Sequence, residues 1–136
     1  MTAAPMASAL PARVSAPTDP ATRAPNEADL FMSTVDAQGR LALRGPASTM
    51  GWTTGQELWL TRRLEGLLFS RLPDSKRVDA MAIVLDRRFR VLLPYFIRVQ
   101  DHWEPGVRIM VLAAPVQGVL AALPMARVAA ALLGNP

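Results

Sequence analysis

The feature that most constrains this chain is that it carries one pattern twice. Residues 32–73, MSTVDAQGRLALRGPASTMGWTTGQELWLTRRLEGLLFSRLP, align with residues 81–124, MAIVLDRRFRVLLPYFIRVQDHWEPGVRIMVLAAPVQGVLAALP, about 50 positions on. Asp36 falls on Asp86, Arg40 on Arg90, and Leu41 and Leu43 on Val91 and Leu93. After one inserted residue Trp52 meets Trp103, Gly55 meets Gly106, and Leu58 and Leu60 meet Ile109 and Val111; after a second, Gly66 meets Gly118. A single copy leaves a one-sided apolar hairpin unburied, so two copies are expected to pack on one another.

Both copies follow the same physical script. Extended residues enter a tight turn, Asp-Ala-Gln-Gly at 36–39 and Leu-Asp-Arg-Arg at 85–88, where Gly39 supplies the positive φ that such a turn often needs. In the return strand, period two puts Leu41 and Leu43 on one face and Arg40, Ala42 and Arg44 on the other. The second copy repeats this with Phe89, Val91 and Leu93 opposite Arg88 and Arg90. One face is core and the other basic. A short helical segment follows, clearest at Pro94-Tyr-Phe-Ile-Arg, because proline suits a first helical turn. Trp-Thr-Thr-Gly at 52–55 and Trp-Glu-Pro-Gly at 103–106 then turn the chain into a second hairpin, 56–61 with 67–72 and 107–112 with 116–123. Residues 124–133 are rich in Ala and Leu, begin with proline and stop at Gly134, the boundary signals of a C-terminal helix. The expected fold is mainly β with short helices. Its organisation is a tail over 1–28, a first repeat over 29–75 and a second repeat with the C-terminal helix over 76–136.

The tail holds five prolines among Ala, Ser and Thr, which bars a continuous helix and leaves few large apolar groups to offset the entropy of ordering, so it is expected to be disordered. Pro5 and Pro11 also interrupt the only apolar run that could serve as a secretion signal. The absence of cysteine removes disulfides, thiolate catalysis and Cys-based zinc sites, and a reducing cytoplasm is the expected setting. The most apolar stretch, 111–133, is broken by Pro115, Gln117, Gly118, Pro124 and Arg127, so no membrane span is expected.

Charge points towards nucleic acid. Residues 30–136 carry thirteen basic and eight acidic residues, and twelve of the thirteen are arginine, whose planar fork suits phosphates and base edges. Catalytic chemistry has no visible carrier. His102 is the only histidine and reads as a loop residue without a metal, and Asp36 and Asp86 are explained by their turns rather than by acid–base work. No Ser/His/Asp set, phosphate loop or dinucleotide fingerprint occurs, so neither an enzyme, a cofactor nor a small-molecule substrate is expected. Trp52 and Trp103 precede the same strand in both copies and read as core plugs. The Arg62-Arg63 and Lys76-Arg77 pairs read as a solvated turn and linker.

The run Val35-Asp-Ala-Gln-Gly-Arg-Leu-Ala-Leu, followed by Gly51-Trp-Thr-Thr-Gly and a Glu-Gly-Leu-Leu hairpin, resembles the AbrB/MazE/SpoVT motif of looped-hinge, swapped-hairpin DNA-binding domains. The likeness spans most of 30–123. It implies a swapped-hairpin β-barrel, formed here as an intramolecular pseudo-dimer of two tandem copies, and a transcriptional regulator that binds double-stranded DNA and can also self-associate. Carried over by position, Arg40 and Arg90 take the arginine of the Gly-Arg pair and Arg98 takes the helix arginine. The basic hairpin faces add Arg44, Arg87 and Arg88 as expected DNA contacts. Departures from the motif are Arg44 in place of a proline, Ser48 and Thr49 in place of helix arginines, and Phe89 in place of the turn glycine. The competing expectation is a protein-interaction module, antitoxin-like or adaptor, that keeps the fold without binding DNA.

Overall fold

The computed structural model describes residues 24, 27–63, 66–72 and 80–134. The expected tail, the link between the copies and the Lys76-Arg77 pair therefore fall almost wholly outside the described residues. Eleven elements follow one another: β1 (Asp29–Thr34), β2 (Arg40–Ala42), α1 (Arg44–Met50), β3 (Glu57–Arg62), β4 (Leu67–Ser70), β5 (Ala80–Val84), β6 (Arg90–Leu92), α2 (Tyr95–Gln100), β7 (Arg108–Ala114), β8 (Val119–Pro124) and α3 (Met125–Leu132). The protein is thus mainly β, with two short internal helices and a C-terminal one.

Six strands form an antiparallel sheet in the order β1-β7-β8-β4-β3-β5, and β2 pairs with β6 in a separate two-stranded ribbon. The first strand of each copy pairs with the third strand of the other: Thr34 lies opposite Arg108, and Val84 opposite Glu57. Connecting hydrogen bonds match as well. Leu43 N donates to Phe89 O at 2.7 Å, and Leu93 N to Gly39 O at 3.0 Å. Within the first copy no β1–β2 ladder is formed among the described residues; the isolated bridge Val35–Leu41, Asp36 N to Arg40 O at 2.9 Å and Ser33 Oγ to Ala42 O at 2.7 Å join them, so the turn at 36–39 hands the chain from the six-stranded sheet to the ribbon.

The expected barrel is not closed. β1 and β5 are opposite edges of the six-stranded sheet, and no ladder among the described residues joins them. The three-residue strands β2 and β6 lie over the core instead of continuing the sheet, because their alternation aims Leu41, Leu43, Val91 and Leu93 inward, each at most 1% exposed. Against them pack Leu58, Leu60, Phe69, Ile109, Val111 and Leu120 from the sheet, with Ala47 and Ile97 from α1 and α2. Trp52 and Trp103 are buried, as plugs beside their turns should be.

Two details of the repeat change in three dimensions. Leu60 pairs with Phe69 as Val111 pairs with Ala122, so the second copy's hairpin is two residues longer, and Gly66 corresponds to Val119 rather than to Gly118. A side chain at Gly66 would collide with the Ala122 carbonyl, which is why glycine stands there. The extra residue lies between Ile97 and Trp103, as Trp52 N donates to Ala47 O and Trp103 N to Ile97 O, and the shared left-handed conformation of Gly51 and His102 places it at Asp101, just before His102. Asp101 accepts from Arg62 Nε at 2.9 Å and pairs with a second guanidinium nitrogen, while the Arg62 guanidinium lies over the Phe96 ring at 5.5 Å.

α1 starts directly after Leu43 and ends at Gly51, whose left-handed φ of 74° lets its own amide donate to Ser48 O and the Trp52 amide to Ala47 O. Arg44, placed on a strand face by the sequence pattern, is therefore the first residue of a helix. α3 begins after Pro124, and no helix among the described residues is long and apolar enough to cross a membrane.

Candidate nucleic-acid interface

The β2–β6 ribbon and the turns leading into it gather the expected contact residues. Each turn is built by an aspartate. Asp36 Oδ1 accepts from the amides of Gln38 and Arg40 at 2.9 Å, and Asp86 Oδ1 accepts from those of Arg88 and Arg90 at 2.8 and 2.9 Å. This side-chain bonding to the backbone two and four residues on fixes the reversal and explains Asp at both positions. The fourth turn residue takes the left-handed conformation in each copy, Gly39 at φ 79° and Phe89 at φ 59°. For a phenylalanine that backbone costs roughly 1–2 kcal/mol, which the packing of its ring against the core offsets.

The second carboxylate oxygens face across the ribbon. Arg90 Nη1 donates to Asp36 Oδ2 at 3.1 Å, Arg40 Nε lies 3.7 Å from Asp86 Oδ2, and Arg90 Nε, enclosed and without a hydrogen bond, lies 3.5 Å from the same oxygen. Partial burial works against ionisation of both aspartates. The backbone amides, together with the charges of Arg90 and Arg40, outweigh it and hold both carboxyls below the ordinary aspartate value. Arg40 and Arg90 thus depart from the expectation of freely exposed strand residues: their side chains are 33% and 26% exposed and hold the two copies together. The pattern of alternating faces was right, but it could not reveal an acidic partner in the other copy.

The remaining arginines flank this centre. Arg44 is exposed and sets its guanidinium 4.9 Å from the centroid of the Phe89 ring, so the helix of one copy rests on the turn of the other. Arg98 mirrors this. Its side chain packs on Gly39, leaving no room for a Cβ there, while its Nε donates to Leu93 O at 3.1 Å and its guanidinium lies 5.9 Å from the Tyr95 ring. Arg87 and Arg88 are exposed at the second turn and line an open concavity with Gly55, Val84 and Asp86. All six expected residues therefore surround one ribbon, two of them partly neutralised.

Sequence reasoning missed Tyr95, which is 69% exposed beside Arg98, and the bridging role of Asp36 and Asp86. The repeated Asp-x-x-x-Arg spacing was the available signal for the latter, since interleaved copies bring each carboxylate to the other's arginine. No group of three or more His, Asp or Glu among the described residues is placed to hold a metal ion. Comparison of the sequence with protein-family models and with curated proteins found no significant match.

Proposed function

We propose that this chain binds double-stranded DNA as a transcriptional regulator, its two AbrB-like copies packed as an intramolecular swapped-hairpin pseudo-dimer. The observation that carries the reading is the convergence of six arginines, from both copies, on the β2–β6 ribbon, where Asp36 and Asp86 pair with two of them. The exchange of β1 and β5 between copies supports the pseudo-dimer, because each copy's edge strand finds its ladder in the other. In such an arrangement Arg44, Arg87, Arg88 and Arg98 contact phosphates or base edges, while Arg40 and Arg90 stiffen the ribbon that carries them. The neutralisation of Arg40 and Arg90 favours a second reading, a protein-interaction module that uses the same fold without DNA.

A labelled duplex from the region upstream of the coding sequence, titrated with the protein and competed with unrelated duplex, tests the proposal. Specific binding that weakens as salt rises supports regulation, because each phosphate neutralised contributes about −0.9 to the slope of log affinity against log salt. Binding no stronger than to the competitor at low salt overturns it in favour of the interaction module.

A further inference from the structure

The two ends of the ribbon are not electrically equivalent. At the second turn Arg87 and Arg88 are exposed, Arg44 of the other copy stacks on Phe89, and the neighbouring 52–55 turn, joined through Gly55 N to Leu85 O at 2.6 Å, offers only neutral Thr53 and Thr54. At the first turn the matching positions are Ala37 and Gln38, and the helix contribution is Arg98 alone. The neighbouring 103–106 turn is joined through Gly106 N to Val35 O at 2.8 Å and places exposed Glu104 where the other copy has Thr53. One end thus carries Arg44, Arg87 and Arg88 with Glu57, which lies opposite Val84, and the other carries Arg98 and Arg108, the latter opposite Thr34, with Glu104; the difference is concentrated in Arg87 and Arg88 against Ala37 and Gln38.

From this we infer that the chain engages an asymmetric duplex site in a single orientation, the Arg44/Arg87/Arg88 end supplying more of the phosphate contacts than the Ala37/Gln38 end. The inference rests on the DNA-binding reading and deepens it. A symmetric dimer presents equal halves and so favours palindromic sites. Here the backbone symmetry is retained while the charge symmetry is lost, and the non-equivalent ends prefer different half-sites. Because electrostatic contacts set register and orientation, the two extra turn arginines, Arg87 and Arg88 against Ala37 and Gln38, select one direction of binding.

Orientation is read directly by tethered cleavage. The chain has no native cysteine, so Ala37→Cys in the exposed first turn accepts an iron chelate at one defined position. Duplexes are first selected from a random 30-base-pair pool (about three helical turns, enough for two half-sites) with the unmodified protein, and the best is then cut by the labelled variant. Cutting at one end of the site supports the inference; cutting at both ends alike overturns it. A second variant, Ala37→Arg with Gln38→Arg, restores the missing charges. It is expected to steepen the salt slope by up to about 1.8, and an unchanged slope counts against the inference even if cleavage is weak. Retention of no duplex from the pool overturns the DNA-binding reading itself, an outcome distinct from symmetric cutting.

Discussion

Arg90 of the second copy donates to Asp36 of the first at 3.1 Å, a bond between residues 54 apart that joins the copies at the centre of the ribbon. Replacing Arg90 by Ala leaves Asp36 and Asp86 facing one another with Arg40 as the nearest cation. The expected cost is about 1–2 kcal/mol, below the range for a fully buried pair because water screens these partly exposed groups. The pH dependence has a definite sign. Both carboxyls sit below their unfolded value of about 3.9, so they contribute stability that is present above that value and lost as pH falls through the lower folded values. Thermal melts are expected to separate Arg90→Ala from the parent most at neutral pH, and the separation should shrink as pH falls through the lowered folded values of the two aspartates.

Gly39 is expected to be less replaceable than Gly55. Gly39 and Gly55 both have positive φ, 79° and 83°, but only at Gly39 would a Cβ meet the Arg98 side chain. Gly55→Ala should cost roughly 1–2 kcal/mol for the backbone alone, and Gly39→Ala more, since Arg98 must also move. Equal losses in melting temperature would show that Arg98 does not pack there.

Neither half should fold alone. β1 has its ladder in β7 and β5 has its ladder in β3, so a chain ending before residue 76 exposes both the edges and the apolar face that the other copy covers. The isolated first half is expected to be unfolded or self-associated by circular dichroism and light scattering, and the two halves mixed should recover the native spectrum. A folded monomer of either half would contradict the exchange.

Much of this architecture was legible because it follows from period two and from turn chemistry. Leu41, Leu43, Val91 and Leu93 alternate with polar neighbours, Asp36 and Asp86 mark the reversals, and the two tryptophans mark equivalent plugs. What remained hidden depends on distances between copies. The repeated Asp-x-x-x-Arg spacing names Asp36 as a partner of Arg90 only once the copies are known to interleave, and nothing near Phe89 shows that its ring will carry Arg44. The Gly66–Gly118 match was misleading because a shared residue type outweighed the strand register, in which the second hairpin is two residues longer. The open sheet was likewise not readable, since barrel closure depends on strand order rather than on the pattern within any strand.

The most direct test of DNA binding through the ribbon compares two variants that lose the same charge in different places. Arg87→Gln with Arg88→Gln removes two exposed cations at the second turn, whereas Arg63→Gln with Arg127→Gln removes one after β3 and one on α3. Affinity for the selected duplex is measured across a salt series for the parent and both variants. The turn variant should bind more weakly, with a slope of log affinity against log salt shallower by about 1.8, while the other variant stays close to the parent. Equal effects from the two variants, or no effect from either, would contradict DNA recognition by this ribbon.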